Sequence, residues 1–225
     1  MTLDHLSPRR PRLRAPKAAA IAGIVFSVLL IISLVLILIA SPTTLVSDRA
    51  RLLAKTPILL VALNLVPFAG IAFLWFMGVV RDLLGEREDQ FFATVFFGSG
   101  LLFLAMLFVS SAVTGSLLVL TDRLPNPELI APLHNLGYTV ARETLNTYGI
   151  RMAGVFMISI STLFLRTGII PRWMVWLGYG FAAIMLFRIG HIDRLGWVTL
   201  LFPLWVLLIS VYILVINYAR SAKGA

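Results

Sequence analysis

The chain has 225 residues, of which 60% are apolar, and a mean hydropathy of +0.96. That apolar share is too large to hide in water and excludes an ordinary soluble domain, for which about 45–50% is usual. The formal net charge of +9 gathers in the first 17 residues and at the ends of apolar runs, so it reflects membrane topology and attraction to anionic lipid headgroups rather than nucleic-acid binding.

Residues 1–17 carry Pro8, Pro11 and Pro16 among Arg9, Arg10, Arg12, Arg14 and Lys17, and hold too little apolar surface to fold alone. They read as a flexible basic tail that meets anionic headgroups. The apolar run 18–40 exceeds the usual length of a signal-peptide core and reads as an uncleaved first span, about 34 Å long at ~1.5 Å per residue.

A second span is expected over 57–80, where Asn64 and Pro67 predict a kink with the asparagine facing the interior. A third covers 91–120 without a charged residue. Between them the polar stretch 81–90 is an aqueous loop, whose Glu86, Glu88 and Asp89 are too few at suitable spacing for a metal site. Next, Asn126-Pro127-Glu128 looks like a helix start, and apolar residues at helical spacing predict an amphipathic surface helix over 126–142, broken near Pro132.

The fourth span, 148–165, contains Arg151. An arginine at a span centre costs roughly 2.5–3.5 kcal/mol, and the eight large apolar residues of the segment return about 2.4–4.8 kcal/mol. Placed near the end of its span, Arg151 can snorkel, so the segment inserts. Fifth and sixth spans follow over 173–189 and 196–218, with Trp173, Trp176, Trp197 and Tyr218 at their ends, and 219–225 forms a second tail. With the termini inside, 11 of the Lys and Arg residues fall on the inner side and 8 on the outer. The expectation is therefore an all-α, multi-pass bundle of six spans in a cell (plasma) membrane, with both termini cytoplasmic.

The run Ile170-Pro171-Arg172-Trp173, followed by Leu177-Gly178, resembles a pattern in small six-span bacterial membrane proteins with no assigned activity. The resemblance implies six helices and a bacterial inner membrane.

On the predicted outer side Arg142, Glu143, Arg151, Arg188, His191 and Asp193 collect beside the bundle, with His134 and Arg194 at the margins. Glu143, Thr147 and Arg151 follow one another four apart, so a helix places them in one stripe; the two charged residues are separated by about 12 Å along its axis. Partners from the return between spans five and six, Glu143 with Arg188 or Asp193 with Arg151, complete a candidate site. Such a cluster suits a small anionic or zwitterionic ligand held by arginines, bound or transported; the alternative is an ion-pair network in a structural or accessory subunit.

A membrane hydrolase built on His191 and Asp193 lacks a marked nucleophile, and the Gly98-Ser99-Gly100 run fits close helix packing better than catalysis. Without cysteine there is no thiolate chemistry, and three histidines do not support a di-iron cluster; no cofactor, metal or nucleic acid is expected. A homo-oligomer or a membrane partner remains open. Ser111 with Gly115, and Gly178 with Ala182, are expected to be packing positions.

Overall fold

In hydrocarbon every backbone N–H and C=O needs a partner within the protein, and the helix supplies one to each locally. A computed structural model of the chain describes residues 15–40, 49–84, 90–123, 127–187 and 197–223, and every regular element among them is helical. These are α1 (Ala15–Ala40), α2 (Arg49–Leu84), α3 (Gln90–Arg123), α4 (Pro127–Glu143), a π-helical segment (Thr144–Gly149), α5 (Ile150–Thr167), α6 (Arg172–Leu186) and α7 (Val198–Lys223). Among the described residues, five helical stretches are long and apolar enough to cross a bilayer: Lys17–Ala40, Lys55–Asp82, Phe91–Leu120, Pro132–Thr167 and Val198–Ile216. The sixth apolar helix, Arg172–Leu186, has 15 residues and reaches about 22 Å.

Helix neighbours follow the order α2, α1, α7, α6, α5, α3, and α3 returns to α2, so the six long elements close a ring. Side-chain contacts fix the directions. Ser33 donates to the Ala62 carbonyl at 2.8 Å and Lys55 to that of Ile39 at 3.2 Å, which sets α1 antiparallel to α2. Likewise Gly70 abuts Phe108, Gly154 abuts Leu186, and Trp205 Nε1 donates to the Met174 carbonyl at 3.3 Å.

Phenylalanines fill the middle of this ring. Phe73 of α2 lies 4.5 Å from Phe26, 5.2 Å from Phe156, 5.6 Å from Phe202 and 5.8 Å from Phe103, centroid to centroid. Five helices therefore send a ring to one point, with edge-to-face and tilted geometries that aromatic quadrupoles favour. Where helices approach most closely a glycine stands: a Cβ on Gly178 would strike Ser161 and Trp205, and one on Gly100 would strike Met77 and Phe156. Gly115 makes only ordinary contact with Leu63, so of the two expected packing pairs the one on α6 carries the tighter approach.

The stretch 126–142 differs from a helix lying apart on the bilayer surface. From Pro127 to Thr167 the chain is continuously helical and runs back along α3. Ser110 donates to the Ala141 carbonyl at 2.8 Å, Gly137 faces Leu117, and Gly149 faces Met106. Leu133, Leu136 and Val140 are exposed, as on an outer apolar face. Pro132 does not break α4, because a proline this close to the helix start removes only one early bond.

After α5, Gly168 ends the helix at φ 66°, the left-handed conformation that glycine adopts without steric cost, and its N–H donates to the Phe164 carbonyl at 2.9 Å. This tight turn sends the chain directly into α6.

Candidate functional site

The π-helical segment lies in the middle of the long α4–α5 element. Its register is marked by the Ile150 N–H donating to the Leu145 carbonyl, five residues back. Its last residue, Gly149, is buried; a Cβ there would crowd the Leu145 side chain of the same helix at 3.1 Å and meet the Met106 Cβ of α3 at 3.4 Å, an ordinary contact.

This segment organises the predicted polar stripe. The Thr147 hydroxyl donates to Glu143 Oε2 at 2.6 Å, and Arg151 Nη1 donates to the Thr147 carbonyl at 2.8 Å. The sequence separates Glu143 and Arg151 by two turns, but both charged tips converge on Thr147, one on its hydroxyl and the other on its backbone oxygen. Glu143 is exposed; Arg151, Thr147 and Arg142 are half-buried.

The same side of α5 leads down to Thr162, which bonds the Tyr179 hydroxyl of α6 at 2.8 Å. One turn below Arg151, Gly154 lies against Leu186 and the Ala182 carbonyl. Helix α6 ends at Leu186. Arg151 therefore stands just past the end of α6, where the stripe is no longer covered by that helix. Arg188, His191 and Asp193, the other proposed members, lie outside the described residues, as does Arg194.

His134 is 8% exposed, turned inward on α4 with its ring parallel to that of Tyr138 at 6.4 Å, and its Nδ1 has no hydrogen-bond partner. It does not join the stripe. Asn64 departs from expectation: its side chain is exposed on the outer face of α2, and its Nδ2 donates to the carbonyl of Leu60 at 2.8 Å. Pro67 is also exposed. The inward face is occupied instead by Ala62, Val66, Ala69, Phe73, Phe76 and Val80, all buried. Asn64, two residues from Ala62, is turned about 200° away from it, to the opposite side. Helix α2 continues through Pro67.

Ser99 behaves as a packing residue: it is 5% exposed, and its hydroxyl donates to the Val95 carbonyl at 2.6 Å. An apolar void of about 10 Å³ lies between the phenylalanine cluster and the π-helical segment, bordered by Leu34, Leu107, Leu145, Ile150 and Thr199. Its size is near the lower limit for one water molecule. Among the described residues no three His, Cys, Asp or Glu side chains gather as a metal site would require.

The π turn is the feature that sequence reading missed. Nothing in Thr144–Gly149 departs from ordinary helix chemistry except Gly149, whose contact with Met106 of α3 appears only once the two helices are paired.

No protein-family model, curated protein or solved structure matches the chain.

Proposed function

We propose that this chain is a six-span protein of a bacterial plasma membrane, with both termini cytoplasmic, and that Glu143, Thr147 and Arg151 form the core of an outward-facing site for a small zwitterionic or anionic ligand. The observation that carries the reading is the convergence of a carboxylate and a guanidinium on Thr147 at a π-helical turn. Such turns occur preferentially at functional positions.

Arg151 spends one donor on Thr147, and a guanidinium has five, in a fork suited to carboxylate or phosphate. Glu143 stands ready for the cationic end of a zwitterion. Arg142 adjoins Glu143 on α4, and Arg142, Arg188, His191 and Asp193 are proposed as further contributors.

The orientation is supported by the way basic residues sit at one end of the ring. Arg81 lies over Phe97 at 5.9 Å and Arg166 over Phe92 at 4.9 Å, while Arg172 opens α6 beside Trp173. That end holds the basic residues of the predicted inner side, which exceed those of the outer side by 11 to 8. Binding is proposed rather than passage, since phenylalanine rings occupy the centre of the ring. The same plug favours a second reading, a structural or accessory subunit that holds no ligand.

Thermal unfolding in phosphatidylcholine nanodiscs separates the two. Phosphoethanolamine should raise the melting temperature, inorganic phosphate should raise it less, and ethanolamine should leave it unchanged. Arg151→Gln should abolish the response. If neither phosphoethanolamine nor phosphate shifts the wild type, or if Arg151→Gln responds as the wild type does, the ligand reading fails and the structural one stands.

A further inference from the structure

We infer that the outer face of α2 is a self-association seam through which two copies of this chain pack in the bilayer, with Asn64 facing Asn64 across a two-fold axis.

Asn64 lies far from either end of the apolar layer. The Ser33–Ala62 bond ties α2 to α1, which places Asn64 level with about Ile31, some 14 Å from the nearer end of the Lys17–Ala40 stretch at ~1.5 Å per residue. At that depth no water competes for a polar group. The bond to Leu60 uses one amide hydrogen. The second amide hydrogen and the oxygen Oδ1 belong to an exposed side chain, where only hydrocarbon or another protein can meet them.

The surroundings of Asn64 have the spacing of a helix seam. Val61, Asn64, Phe68, Ile71, Trp75 and Gly78 are all exposed on α2, at alternating intervals of three and four residues. Exposure reaches 55% at Val61, 63% at Phe68 and 70% at Trp75, so this face is not covered by the rest of the ring. An alternation of three and four is the repeat that keeps one stripe facing a partner helix, and a single asparagine within such a stripe fixes register and partner number.

The occupant follows from the chemistry of the carboxamide. It is both donor and acceptor, so its complement is another carboxamide. Copies inserted with one orientation are related by a two-fold axis along the bilayer normal, which sets the two α2 helices parallel and each Asn64 at the depth of its mate. A two-fold contact joins identical patches, as a self-complementary group requires. Arginines and carboxylates are absent from the stripe, so nothing repels the second copy.

Because the chain contains no cysteine, single cysteines report the interface directly. Labelled full-length protein reconstituted in phosphatidylcholine vesicles should show energy transfer that rises with the protein-to-lipid ratio. Asn64→Leu should raise the dissociation constant about tenfold, the scale of interhelical hydrogen bonds in membranes, and Asn64→Gln should recover part of the loss. Ser116→Leu, which removes an exposed hydroxyl already bonded to the Ala112 carbonyl at 2.9 Å, should leave association unchanged. Val61→Cys and Ile71→Cys, in the otherwise native chain, should form disulfide-linked dimers on oxidation, and Leu208→Cys on α7 should not. Monomers at every protein-to-lipid ratio, association indifferent to Asn64→Leu, or cross-linking at Leu208 in preference to Val61 would each overturn the inference.

Discussion

Replacing Phe73 with alanine tests whether the ring is held together at its centre. In a soluble core, Phe→Ala costs about 3–5 kcal/mol, part of it lost transfer from water and part lost packing. The transfer part falls away here, because lipid chains are as apolar as the protein interior. Packing is the part that remains, and at Phe73 it is large: the ring is fully buried and has five ring neighbours between 4.5 and 6.3 Å.

At about 0.5–1.5 kcal/mol per aromatic pair the five contacts set an upper bound of about 7.5 kcal/mol, which non-additivity reduces. A loss of about 3 kcal/mol is expected. Phe73→Leu, which keeps most of the volume, should cost about 1–1.5 kcal/mol. Leu102→Ala, at a position 51% exposed on α3, should cost less than about 0.5 kcal/mol. Steric-trap unfolding in bicelles measures all three on one scale. A loss below about 1 kcal/mol for Phe73→Ala, or one equal to that of Leu102→Ala, would refute the aromatic centre as the source of cohesion.

Two further substitutions probe individual helix contacts. Gly178→Ala places a methyl group against Ser161 and the Trp205 ring and should destabilise the protein by about 1–3 kcal/mol in the same assay, whereas Gly180→Ala, with nothing within 4 Å of the new methyl, should be neutral or stabilising. Ser110→Ala removes the bond to the Ala141 carbonyl between α3 and α4 and should cost about 0.6 kcal/mol, up to roughly 1.7; faster amide exchange of the α4 residues would accompany it.

Four of the long helices were legible as apolar runs, because a segment in hydrocarbon announces itself by composition alone. The helices run past those runs: α2 extends from Arg49 to Leu84 and α3 from Gln90 to Arg123, while their apolar stretches are Lys55–Asp82 and Phe91–Leu120. The orientation of Asn64 was illegible for a different reason. A helix apolar all round has no amphipathic face, and the usual rule that polar residues turn inward is only a tendency. Size does not mark the inner face of α2 either: Ala62, Ala69 and Ala72 are buried, but so are Phe73 and Phe76, while Phe68, Ile71 and Trp75 are exposed. Nothing in the sequence pairs Gly149 with Met106, so the π turn, and with it the convergence of the stripe on Thr147, required the structure.

The position of Arg151 also changes the energetic account of its insertion. Read as a residue near the end of an 18-residue span, it escapes the bilayer by extending toward water. In the folded chain it lies 16 residues, about 24 Å, from Thr167 in one continuous helical element that is longer than a core of ~30 Å. Its charge is met also within the helix, by the carbonyl of Thr147, whose hydroxyl in turn engages Glu143. A carbonyl has two lone pairs, and an arginine that takes one of them leaves the backbone bond intact. The remaining donors of Arg151 stand past the last turn of α6, half-buried and therefore poorly hydrated. A guanidinium so placed gains most from a second acceptor, and that need is the physical basis for assigning an anion to the site.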